Sequence, residues 1–169
     1  MTEKTKESRI RVYYSWQPDL PANTNQGLIE RALEMALEEI RAEKNITITL
    51  EHDSRDATSS PDSLKNIFEK IDSCDIFAAD ITPVEKRRGH LLPNPNVLLE
   101  LGYALRSLTA DRIILIHNDF FGDTRLLPFD LGFKRQTTYS VSPDSETKSD
   151  DRQSLAKHIR KEIETILKL

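Results

Sequence analysis

The 169-residue chain has one cysteine and five glycines, and each scarcity excludes something. Cys74 alone cannot form an intramolecular disulfide, which favours a reducing, cytoplasmic compartment. No apolar stretch nears the roughly 20 residues needed to span a bilayer, and the polar start MTEKTKESR has no apolar signal core. Neither GxGxxG nor GxxxxGK[ST] occurs, so no glycine-rich backbone is set to cradle a phosphate. A GxSxG elbow is missing too, as is any Cys/His pair inviting nucleophilic catalysis. His52, His90, His117 and His158 lack metal-ligand spacing, so no metal is expected. The net charge of −4 and pI of about 5.6 do not favour a polyanion partner. The one dense basic run, Lys86-Arg87-Arg88, reads as a solvated loop, and no direct nucleic-acid binding is expected.

What is present points to one α/β domain. Hydrophobic residues at 37% and charged residues at 31% suit a soluble globular chain with one buried core. IRVYYSW (10–16) reads as a first strand, rich in branched and aromatic side chains. QPDLPANTN follows with loop punctuation. Ile29, Leu33, Ala36, Leu37 and Ile40 recur at helical spacing between Gln26 and Glu43. In ITITL (46–50) apolar residues alternate with threonine, as in a strand near a sheet edge. A polar loop, 53–60, leads to a helix with Leu64, Ile67, Phe68 and Ile71 on its buried side. DIFAADIT (75–82) and RIILIH (112–117) are continuous apolar runs, as in central parallel strands covered on both faces. Residues 83–95 read as a long polar loop, and 118–134 as a loop with a short turn near 126–131. RQTTYSV (135–141) reads as a last edge strand. A polar linker then precedes a helix carrying Leu155, Ile159, Ile163 and Ile166.

Strands alternating with helices predict a mostly parallel sheet of about five strands, sandwiched between helices in a flavodoxin-like, three-layer arrangement. A single domain over 1–169 is expected, with its core at 9–140 and a C-terminal helix over 150–169. In such sheets ligands bind beyond the carboxyl ends of the strands. That rule selects Ser15-Trp16-Gln17, Asp53 to Ser60, Asp80 to Asn96 and the loop after His117.

The helix in PNPNVLLELGYAL (93–105) is well punctuated: Asn94 can cap it and Pro95 fits its first position. At about 100° per residue, Val97, Leu98, Leu101, Ala104, Leu105 and Leu108 share a broad face. Glu100 lies on the border of that stripe, one turn after Asn96. Gly102, inside the helix, suggests close packing against a neighbouring backbone. Geometry alone leaves Glu100 either a border residue in a surface ion pair or a carboxylate over a ligand. Asp80 is equally two-sided, able to bind a sugar hydroxyl or to cap the loop that follows it.

A strand ending in Ser-Trp-Gln, a polar loop after the second strand, the strand end Asp80-Ile81-Thr82 and NPNVLLELGYA together resemble the bacterial TIR-like family, from about Arg9 to Tyr139. The acidic strand end followed by ELGYA is also similar to the nucleoside 2-deoxyribosyltransferases. Both families share the flavodoxin-like fold and attack an N-glycosidic bond at a ribose-type carbon. The resemblance implies that Glu100 is the catalytic carboxylate, helping to cleave the nicotinamide bond of NAD+, which is a substrate and not a cofactor. It places Ser15 near the nucleotide, Trp16 where it could stack on a base, and Arg55 within reach of a diphosphate. The 53–60 loop takes the place of a gating loop that also forms head-to-tail self-association contacts. Many TIR enzymes carry tryptophan where this chain has Asn96; an amide there can bond a ribose hydroxyl but cannot stack.

The leading expectation is an NAD+ hydrolase, an oligomerisation-activated effector of bacterial antiviral defence with a separate or fused sensor. The alternatives are a deoxyribosyltransferase-like N-glycosidase and a non-catalytic signalling or nucleotide-sensing domain.

Overall fold

A computed structural model describes residues 9–52, 61–128, 131 and 136–169, the side chains of Pro61 and Asp62 aside. Arg55 and the whole 53–60 loop lie outside the described residues. The main strands are β1 (Ile10–Ser15), β2 (Ile48–His52), β3 (Ile76–Asp80), β6 (Ile113–Asn118) and β7 (Gln136–Tyr139). They form one sheet in the order β2-β1-β3-β6-β7, and every pairing is parallel. The helices are α1 (Gln26–Lys44), α2 (Pro61–Ser73), α3 (Pro95–Ser107) and α4 (Lys148–Leu167). This is the expected flavodoxin-like sandwich, with β2 and β7 at the edges.

The period of two along each strand divides the core. Val12, Tyr14, Ile76, Ala78, Ile114 and Ile116 pack under α1 and α4 with Leu33, Leu37, Ile159 and Ile163. Tyr13, Phe77, Ala79 and Leu115 pack on the other face with Ile71, Val97, Leu101 and Ala104 of α2 and α3. Outside, Arg160 of α4 ties α1 down through Glu39 and Glu43. Asn45 ends α1 in the left-handed conformation at φ 50°, its N–H bonded to Arg41 O at 3.1 Å. Cys74 is buried, and loss of solvent pushes its thiol up to about 12. No described helix is long and apolar enough to cross a membrane.

Three expectations change. β2 starts and ends two residues later than the alternating ITITL, because it pairs with β1 from Ile10↔Ile48 to Tyr14↔His52. A two-residue shift keeps the same face inward. Residues 83–93, expected as loop, form a hairpin: β4 (Pro83–Arg87) pairs antiparallel with β5 (His90–Pro93). Its turn puts Arg88 at φ 50° and Gly89 at φ 85°, the primed geometry that matches strand twist. The hairpin rests on Gly122, where an added Cβ would lie 2.3 Å from Leu91 Cδ1.

The third change concerns Gly102. It is exposed, and a Cβ there would meet nothing within 4 Å among the described residues, so no close packing seen there explains it. Gly102→Ala should therefore raise stability by roughly 0.5–1 kcal/mol, the helix-interior difference between the two residues. Urea unfolding measures this; a loss of stability would mean that the site is crowded after all.

Candidate active site

Glu100 is buried, only 4% exposed. It belongs to the second turn of α3, whose start is set by Asn94. That side chain accepts the N–H groups of Asn96 at 2.8 Å and Val97 at 3.3 Å, with Pro95 in the first turn. The carboxylate is met by Ser15 at the carboxyl end of β1: Ser15 Oγ donates to Glu100 Oε2 at 2.5 Å. Ser15 is itself buried. A charge-assisted bond of this length, away from solvent, is a strong positional constraint. The structure thus brings together two of the expected site residues, at the strand ends where such sheets hold ligands.

The other expected residues lie elsewhere. Trp16 is half-buried and packs against the cluster under α1 and α4. Asn96 is exposed in the first turn of α3, its backbone N–H taken by Asn94. Asp80 follows the α1-facing alternation of Ile76 and Ala78, and it is fully buried. Its Oδ1 accepts the N–H of Thr82 at 3.0 Å. Its Oδ2 accepts Asn25 Nδ2 at 3.1 Å and Gln17 Nε2 at 3.3 Å. The bond from Thr82 N–H is the loop-capping contact expected of Asp80. Burial holds its carboxyl above the usual range, against the opposing pull of hydrogen bonds from Thr82, Asn25 and Gln17.

Around Asp80 lies a polar network that motif reading did not find. Asn25 Nδ2 also reaches Thr82 Oγ1 at 3.0 Å, and that oxygen accepts the N–H of Asn118 at 3.0 Å. Asn118 Nδ2 donates to Val141 O at 2.9 Å, and Tyr139 Oη donates to Thr24 O at 2.6 Å. The network stitches the segment after β1 to the ends of β3, β6 and β7. Its one visible signal in the sequence was polar residues at the ends of apolar runs.

Asp19, also missed, is exposed in the segment between β1 and α1. Its Oδ2 accepts Asn94 Nδ2 at 2.6 Å, and its N–H donates to Gln17 Oε1 at 3.0 Å. One segment therefore grips α3 twice: Ser15 on Glu100 and Asp19 on the cap residue.

No protein-family model matches the chain, and no curated protein does. Among solved structures it is similar to a 2-desoxiribosyltransferase from Leishmania mexicana, at 19% identity, 66% coverage of each chain and a TM-score of 0.40. It is similar to the flavodoxin-like domain of a Synechococcus sp protein, at 12% identity, covering 90% of this chain and 99% of that one, TM-score 0.42. The flavodiiron core of Flv1 from Synechocystis sp. PCC6803 gives 13% identity, 94% and 38% coverage, and a TM-score of 0.47. Likenesses this distant carry nothing about substrate or chemistry. The fold rests on its own strand order and pairings.

Proposed function

We propose that this chain cleaves the N-glycosidic bond of a ribosyl pyridinium nucleotide, with NAD+ as substrate and Glu100 as the catalytic carboxylate. The observation that carries the reading is the buried Glu100 carboxylate held by Ser15 at the carboxyl edge of a parallel sheet. When the C1′–N bond breaks, its electron pair goes to the pyridine nitrogen and neutral nicotinamide departs. The sugar is left as an oxocarbenium-like cation, which a fixed carboxylate in a low-dielectric site stabilises. Water then adds at C1′ and gives its proton to Glu100, yielding ADP-ribose.

The placement of Asp80 favours a cationic leaving group over a neutral one. A nucleoside base departs as an anion unless an acid protonates it, the usual task of a second carboxyl group. Of the acids expected beside Glu100 at the strand ends, Asp53 lies outside the described residues, and the oxygens of Asp80 are occupied by Thr82, Asn25 and Gln17. Nicotinamide needs no such proton. Self-association is the switch in this reading, as the resemblance to TIR effectors implies.

Chromatography after incubation with NAD+ and, separately, with deoxynucleosides tests the substrate, at low protein concentration and with enforced oligomerisation. Nicotinamide release that rises on oligomerisation is the expected result. Free base from deoxynucleosides with none from NAD+ would sink the NAD+ reading in favour of a deoxyribosyltransferase-like enzyme. Ser15→Ala should lower kcat about 10- to 100-fold with KM little changed, since it displaces the carboxylate without removing it. An equal rise in KM with kcat intact would place Ser15 on the substrate instead.

A further inference from the structure

We propose that Asp19 is a positioning residue for Glu100, fixing through Asn94 the roll of α3 about its own axis. The proposal rests on the reading of Glu100 above. Its basis is a chain of polar contacts running from the sheet to the helix cap. Asp80, at the end of β3, accepts Gln17 Nε2 at 3.3 Å, and Gln17 Oε1 accepts the N–H of Asp19 at 3.0 Å. Asp19 Oδ2 in turn accepts Asn94 Nδ2 at 2.6 Å. That last bond decides which way the Asn94 amide faces. With Nδ2 held by a carboxylate, Oδ1 is turned to the N–H groups of Asn96 and Val97, which open α3.

From the same segment, Ser15 holds Glu100 in the second turn of α3. At about 100° per residue, positions 94 and 100 lie about 120° apart around the helix. The two contacts therefore grip α3 from different sides. One contact alone leaves a helix free to pivot about it; two at different azimuths fix its rotation. Val97, Leu101 and Ala104 seat α3 on the sheet but do not set the roll, because burial of apolar surface is non-directional. Small rolls matter here. A group about 5–6 Å from a helix axis moves about 1 Å when the helix rolls by about 10°. A misplacement of that size at a reacting group costs up to about 100-fold in rate. Asp19 itself is exposed, so it can be changed without opening the core.

The test exchanges the two partners. Asn94→Asp keeps a side chain that caps as well as asparagine, but it sets a second carboxylate against Asp19. Adding Asp19→Asn to that chain restores one donor and one acceptor, with their order reversed. In NAD+ cleavage by folded protein, Asp19→Ala and Asn94→Asp should each lower kcat about 10-fold with KM within about twofold, and the exchanged pair should recover to within about threefold of the parent. A loss carried by KM would put Asp19 on the substrate and overturn the proposal. So would full activity in Asp19→Ala, or no recovery in the exchanged pair. The carboxyl carbon resonance of Glu100, assigned by its absence from Glu100→Gln, gives a reading that needs no turnover. It should shift in Asn94→Asp and return in the exchanged pair; an unmoved resonance overturns the proposal. A chain that releases no nicotinamide, yet shows the shift and its return, keeps Asp19 as the residue that sets Glu100 and removes only the catalytic reading of that carboxylate.

Discussion

Glu100→Gln should lower nicotinamide release from NAD+ by about 10²- to 10⁴-fold in kcat, the range lost with a positioned acid–base or electrostatic group. The substitution isolates charge from shape. Glutamine has nearly the same volume, and its amide oxygen can still accept from Ser15 Oγ, so the contact seen at 2.5 Å survives in a neutral form. What disappears is the negative charge facing the developing cation, and with it the base that takes the water proton. Stability should fall by no more than about 1–3 kcal/mol, since Ser15 keeps its acceptor and the new amide N–H group is what the buried site must accommodate. Product chromatography reads the activity, and urea unfolding with circular dichroism reads the fold. Activity within about threefold of the parent, in a folded variant, would make the buried glutamate a structural residue and end the enzymatic reading built on it.

Why Glu100 was only half legible in the sequence is a matter of range. Helical periodicity placed it on the border of the α3 stripe, and periodicity reports one element's own geometry. Its burial depends on Ser15, 85 residues away in the chain, and on the parallel order that lays β1 beside β3 with α3 above them. Elements that bury continuous apolar runs were read well, because runs such as FAA and ILI can satisfy both faces of a sheet only at its centre. The β4–β5 hairpin was not legible. Proline opens β4 and closes β5, and the turn is Arg-Gly, where the recognisable primed turns carry Asn-Gly or Asp-Gly. Leu105, assigned to the buried stripe, is 37% exposed, because α2 covers only part of that broad face. The Asp80 network was hidden for the same reason as Ser15–Glu100: Gln17, Asn25, Thr82 and Asn118 are spread over the chain, and no local pattern joins them.

Asp80→Ala should cost about 3–5 kcal/mol, a large share of the roughly 5–15 kcal/mol that holds a domain of this size folded. Two effects oppose each other. Removing a buried carboxylate relieves the desolvation that raises its pKa. It also leaves three buried donors, Thr82 N–H, Asn25 Nδ2 and Gln17 Nε2, facing a cavity, each costing about 1–3 kcal/mol. The orphaned donors win. The pH dependence then has a fixed sign. A carboxyl whose folded pKa is raised binds its proton more tightly in the folded state. Its linked contribution is fully present below the ordinary aspartate value of 3.8 and is lost as pH rises through the higher folded value. The stability gap between the parent and Asp80→Ala should therefore be widest in acid and narrow toward neutrality, as urea unfolding across a pH series would show. A loss under about 1 kcal/mol, or a gap that widens with pH, would mean that the network does not hold Asp80 as described. Because Asp80 grips Gln17 and Asn25, the same variant loosens the segment that carries Ser15 and Asp19. Activity should then fall even where the chain stays folded, although Asp80 faces away from the candidate catalytic carboxylate.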